Sequence, residues 1–122
     1  MKNIHWLGAG LSSVPGIRRL ATKNLKLTVW NRTLSKAEYS INHVQSPNVL
    51  AKTFKFEDFT SSLQEGDIVV SQLPASMHIK IAKICLEKKC HFASTSYISP
   101  DIEELDQQVR DKKLIFINEI GL

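Results

Sequence analysis

Three stretches of this 122-residue chain carry residue types suited to holding a phosphorylated ligand. The first is Gly8-Ala9-Gly10-Leu11-Ser12-Ser13, small residues at a G-x-G-x-x-S spacing between an apolar run and an amphipathic one. Small residues at that spacing have separate uses. The first makes a tight turn, the second lets a pyrophosphate approach the backbone, and the third lets a helix seat closely on the preceding strand. Leu11, Ser12 and Ser13 fall where the helix would begin, and unpaired N–H groups there favour phosphate oxygens. Ser13 replaces the usual third glycine or alanine, which loosens the packing slightly and leaves the donors in place. The competing reading is a strand-to-helix turn with no ligand.

The second stretch is Trp30-Asn31-Arg32-Thr33. Folds that bind dinucleotides place Asp or Glu about 20 residues after the glycines, where the carboxylate holds a ribose 2′-hydroxyl. Here Asn31 stands 23 residues after Gly8 and no carboxylate is near. Arg32 offers a planar fork suited to phosphate, with Asn31 and Thr33 as extra donors. A carboxylate would repel a 2′-phosphate, so its absence favours NADP, with NAD as the weaker alternative. A solvated surface arginine is the bland reading of Arg32. Lys36, a helical turn further on, either adds charge or is plain surface. The third stretch is double: Ser71-Gln72-Leu73-Pro74 and Ser94-Thr95-Ser96-Tyr97 each close an apolar run.

These residues need strands and helices to bring them together. Asn3–Leu7 and Lys26–Trp30 read as strands, Asn48–Thr53 as a weaker one, and Ile68–Ser71 as a strand covered on both faces. His91–Thr95 and Leu114–Ile117 supply a fifth and a sixth. Between them the periodicity predicts helices from a Ser12 or Ser13 cap through Thr22, over Ser35–Val44, over Glu57–Leu63 and from Met77 to Lys89. Ser99-Pro100-Asp101 opens one more, with cap, proline and acidic first turn in order. Strand and helix alternate with no hairpin dipeptide between strands. That predicts an α/β fold, a doubly wound parallel sheet of about six strands with helices on both faces. In such sheets ligands lie outside the carboxyl ends of the strands, where all three stretches fall.

Composition narrows the classes. With 43% hydrophobic and 23% charged residues the chain is ordinary and globular, long enough to bury about two-thirds of its surface around one core. The net charge of +4 is too mild to imply nucleic acid. Lys23, Lys88, Lys89, Lys112 and Lys113 fall at helix ends, where cations complement the dipole, rather than along one aromatic-studded groove. Cys85 and Cys90 have neither CxxC spacing nor a histidine pair nearby, so neither a zinc site nor a disulfide framework is indicated. Free thiols fit a reducing compartment. No apolar run approaches a membrane span, and the amino terminus lacks a signal-peptide core. The expectation is a soluble cytoplasmic protein with a small-molecule substrate, no nucleic acid and no membrane partner.

The sequence resembles saccharopine dehydrogenases of the glutamate-forming, saccharopine-reductase type. The resemblance runs through Gly8-Ala9-Gly10 with Pro15, Arg32-Thr33, Asp67–Ser71, Pro74 and His78. It is most specific at Thr95-Ser-Tyr-Ile-Ser-Pro100 and Asn118-Glu-Ile-Gly-Leu122. It implies that residues 1–122 are the NADP-binding Rossmann domain of an oxidoreductase acting at a carbon–nitrogen bond, interconverting saccharopine with glutamate plus α-aminoadipate semialdehyde in lysine metabolism. In that family a larger substrate and dimerisation domain follows Gly-Leu, so the chain reads as a fragment that binds cofactor weakly without turning over substrate. A homo-oligomer then belongs to the full-length enzyme.

The same resemblance assigns Gly8, Gly10 and Ser13 to the pyrophosphate, Arg32 and Thr33 to the 2′-phosphate, and Leu73 and Pro74 to the nicotinamide-side ribose. Ser96 and Tyr97 match the substrate-side segment, with Tyr97 the candidate catalytic residue. Its hydroxyl would hydrogen-bond a substrate carboxylate or relay a proton, although a free pKa near 10 makes it a poor base. A ring packed over the sheet edge is the alternative. Glu119 either starts a loop near the pocket or holds backbone N–H groups. His78 reads as a capping or packing residue before it reads as a nicotinamide neighbour, and His5 as structural. Three rivals remain: a carboxyalkyl-polyamine (carboxynorspermidine-type) dehydrogenase; a non-catalytic nucleotide-sensing regulatory domain, which would normally carry the acid missing at Asn31; and, more weakly, a domain that keeps the fold but has lost binding.

Overall fold

The computed structural model describes residues 3–94 and 100–117. Six strands form one sheet: β1 (Asn3–Leu7), β2 (Lys26–Asn31), β3 (Val49–Thr53), β4 (Ile68–Ser71), β5 (His91–Ser94) and β6 (Phe116–Ile117). Every pairing is parallel and the order is β3-β2-β1-β4-β5-β6. The order therefore turns back at β1, and the ends of β1 and β4 part there, which is where open α/β sheets bind ligands.

Strand alternation sends successive side chains to opposite faces, and each face has its own helices. Leu7, Trp30, Val69 and Phe92 point to one face and bury against α3 (Phe56–Ser62), α4 (His78–Lys88) and α6 (Asp106–Asp111) through Phe59, Ile81, Cys85 and Val109. Trp6, Leu27, Val29 and Val49 point to the other, under Ile17 and Ala21 of α1 (Val14–Ala21) and Ala37 of α2 (Leu34–Ser40). A short helix, α5 (Pro100–Glu103), precedes α6. The expected doubly wound sheet is thus the observed one.

The differences from expectation lie at element ends, where local signals are weakest. Ser13 occupies the N-cap of α1 without a side-chain cap bond, and its backbone is already helical. Burial goes with this: Ser13 is 3% exposed. The second helix stops at Ser40, whose hydroxyl turns back to donate to the Ala37 carbonyl, and turns follow it. The helix beginning at Pro100 breaks into α5 and α6, and β6 shrinks to two residues. The lysines predicted at helix ends are there. Lys88 ends α4, Lys89 is its left-handed C-cap, and Lys112 caps α6 while donating to the Leu86 carbonyl at 3.0 Å.

Candidate functional site

The glycine turn joins β1 to α1 at the switch point. Gly8 has φ +100°, and a Cβ there would stand 3.3 Å from the backbone carbon and oxygen of Gln72, so both conformation and space demand glycine. Its N–H donates to the Trp30 carbonyl at 2.8 Å, while the Gln72 N–H donates to the Leu7 carbonyl at 2.8 Å, tying β2, β1 and β4 together at their ends. At Gly10 the situation is opposite: a Cβ would meet nothing within 4 Å, so the space before the turn is open. Ser13 N–H donates to the Gly10 carbonyl at 2.9 Å, closing the turn. Among the described residues, the N–H groups of Gly10, Leu11 and Ser12 have no protein acceptor, and Leu11 is 89% exposed. Exposed, unpaired donors at a helix start are what an anion requires.

Asn31 connects this turn to the second candidate stretch. Its Oδ1 accepts from the Ala9 N–H at 3.0 Å, and its Nδ2 donates to the Thr33 carbonyl at 3.0 Å. One side chain thereby braces the glycine turn against the loop that carries Arg32. The Asn31 carbonyl also accepts from the Phe54 N–H at 2.9 Å, bringing in the end of β3. The result is a cleft of about 470 Å³ at the carboxyl ends of β2, β3 and β4. Arg32, Thr33 and Lys36 line one side with Asn31. Phe54, Lys55 and Phe56 come from the β3–α3 connection, and Leu73, Pro74 and Met77 from the β4–α4 connection. Cationic and aromatic walls together suit a phosphorylated nucleoside.

Beneath the site lies a buried polar network. The Trp30 Nε1–H donates to His5 Nδ1 at 3.1 Å, so the ring presents its Nε2–H to Asp67 Oδ2 at 3.0 Å. That oxygen also accepts from the Gln64 N–H at 3.0 Å. Burial lowers the His5 pKa and outweighs the neighbouring Asp67, which raises it. His5 is accordingly structural, a neutral ring holding β1 against the start of β4. His78 begins α4 and is 1% exposed, its ring edge-on to Phe92 with centroids 6.1 Å apart. Burial lowers its pKa further than the Leu73 carbonyl raises it, and neither ring nitrogen makes a hydrogen bond of regular geometry. Cys85 and Cys90 are both free and buried; burial pushes the Cys90 thiol up to about 11. Neither is poised as a nucleophile.

The structure thus brings Gly8, Gly10, Leu11, Ser12, Ser13, Asn31, Arg32, Thr33, Leu73 and Pro74 to one end of the sheet. Leu73 and Pro74 share their cleft with Arg32 rather than standing apart from it. Asn31 spends its side chain on bracing, with one amide N–H left over. Ser96, Tyr97 and Glu119 lie outside the described residues. Sequence reasoning missed Phe54, Lys55, Phe56 and Met77, which come from loops with no phosphate motif. It also missed Gly16, where a Cβ would stand 2.9 Å from Cη2 of Trp6. The close helix–strand seat assigned to position 13 depends on Gly16, a signal visible only as a glycine one turn further on. Among the described residues no three His, Cys, Asp or Glu side chains gather to hold a metal, and no helix is long and apolar enough to cross a membrane.

Residues 4–117 match the family described as "Saccharopine dehydrogenase NADP binding domain". A similar curated protein is saccharopine dehydrogenase [NADP(+), L-glutamate-forming] of Pyricularia oryzae, 31% identical over 99% of this chain and 27% of its own length. The mitochondrial alpha-aminoadipic semialdehyde synthase of Rattus norvegicus is 31% identical over 99% of the chain and 13% of the relative. Among solved structures, apo saccharopine dehydrogenase (L-Glu forming) of Saccharomyces cerevisiae superposes with a TM-score of 0.87 at 30% identity, covering 100% of this chain and 28% of that one. The chain spans about a quarter of the fungal relatives it matches.

Proposed function

The chain belongs to the saccharopine dehydrogenase NADP-binding-domain family, and on that premise we propose that it binds NADP(H) across the ends of β1, β2 and β4. The N–H groups beside Gly10 take the pyrophosphate, and Arg32 with Thr33 takes the 2′-phosphate. The observation that carries this reading is the Asn31 side chain, which links the open glycine turn to the cationic cleft through two bonds of 3.0 Å. Two anion-binding segments held at a fixed spacing suit one ligand with two phosphate centres.

We further infer that the whole protein is an NADP-dependent oxidoreductase interconverting saccharopine with glutamate plus α-aminoadipate semialdehyde, in amino-acid metabolism of lysine. The bound nicotinamide supplies the hydride chemistry. This chain's residues bind, orient and exclude: the turn donors fix the pyrophosphate, and Leu73 and Pro74 wall the cleft. Ser96 and Tyr97, which follow β5, are assigned to the substrate side by the resemblance alone, with Tyr97 relaying a proton or holding a carboxylate. Free, buried cysteines support a reducing compartment, and we place the protein in the cytoplasm.

Titration with NADPH and NADH tests the cofactor assignment. NADPH should bind more tightly, and Arg32→Ala should weaken NADPH about tenfold or more, the cost of one charge-assisted phosphate contact, while sparing NADH. A preference for NADH that is insensitive to Arg32→Ala would remove the basis of the assignment.

A further inference from the structure

Lys55 sits at the N-cap of α3, where its charge opposes the helix dipole and its side chain makes no cap bond. A lysine there does nothing for the helix. Other lysines near it have partners: Lys52 Nζ lies 5.5 Å from the Trp30 ring centroid, and Lys80 Nζ 3.9 Å from that of Phe56. The ion pair among the described residues is Arg110–Asp106, and Asp67 is held by the neutral His5 ring through a hydrogen bond, so Lys55, Arg32 and Lys36 have no carboxylate partner there. All three line the same cleft, and no acidic side chain lines it with them. Lys55 also lines the adjoining cleft, which it shares with Asp58 three residues on, but the two do not pair.

The backbone explains why Lys55 belongs with Arg32. Asn31 pairs with Thr53 in the parallel register of β2 and β3, and the Phe54 N–H donates to the Asn31 carbonyl. Lys55 and Arg32 therefore each follow directly on one partner of the same hydrogen bond. Three like charges in one cleft repel one another unless an anion joins them. We propose that Lys55 is a specificity-determining residue that takes the 2′-phosphate of NADP(H) from the wall opposite Arg32. The proposal rests on the cofactor reading above and extends it to a loop that no phosphate motif marks.

The test compares Lys55→Met and Lys55→Arg with the unaltered chain, using NADPH and 2′,5′-ADP against NADH and 5′-AMP in low-salt buffer. Lys55→Met should weaken both 2′-phosphorylated ligands about fivefold, the size of one partly exposed ionic contact, and leave the other two unchanged. Lys55→Arg should restore the loss, and raising salt should shrink the difference. Unchanged binding of NADPH by Lys55→Met, or equal losses for NADPH and NADH, overturns the proposal. If the unaltered chain fails to discriminate NADPH from NADH, the cofactor reading itself falls, and the proposal with it.

Discussion

Asn31→Asp replaces one atom type and should change which cofactor the site prefers. The aspartate keeps an oxygen for the Ala9 N–H, so the glycine turn stays braced. The other oxygen takes the place of Nδ2, which now donates to the Thr33 carbonyl at 3.0 Å, and two acceptors there repel. The new charge also lies beside Arg32; a phosphate held by that residue two residue lengths away stands roughly 7 Å from it, at about 3.5 Å of chain per residue. Repulsion between one charge and a phosphate carrying about two is then ~1.2 kcal/mol in water-like dielectric, or about eightfold in affinity. Salt near 0.1 M should reduce that to about threefold, because the Debye length falls to ~10 Å. Calorimetric titration should show NADPH affinity falling by these factors, while NADH holds or gains through its free 2′-hydroxyl. Asn31→Ala is the control: it removes the brace without adding charge and should weaken both cofactors alike, by ~1 kcal/mol. If Asn31→Asp leaves NADPH binding intact at low salt, or weakens NADH as much, the placement of the 2′-phosphate beside Arg32 is wrong.

Other outcomes follow from packing and protonation. Gly16→Ala gains ~1 kcal/mol of helix propensity but drives a methyl to 2.9 Å from Trp6, so a net loss of ~1 kcal/mol is expected from urea unfolding; a stabilised variant would mean that Trp6 moves freely. His5 and His78 both resist protonation when folded, whereas the unfolded rings titrate near 6.5. Unfolding therefore takes up protons as pH falls, and stability should drop as pH goes from about 7.5 to about 5.5, through the unfolded-ring value. His78→Phe should flatten that slope; a midpoint independent of pH in this window would contradict it.

What the sequence alone determined is what nearest neighbours along the chain can encode. Alternation of apolar runs and amphipathic stretches specified six parallel strands and their helices, because burial on two faces leaves that arrangement as the way to cover them. The glycine turn was legible because Gly8 answers a local backbone demand, and Arg32 because its charge falls where a dinucleotide fold normally carries an acid. Three-dimensional packing decided the rest. The pairing of β2 with β3 set Lys55 and the Phe54–Phe56 wall against Arg32, a juxtaposition created by hydrogen bonds between residues more than 20 positions apart. Burial overruled the local capping signal at Ser13, and contact with Trp6 transferred the close-approach role to Gly16. The same logic turned Asn31 from a free donor into a brace, since its amide met the Ala9 N–H only once β1 and β2 lay side by side.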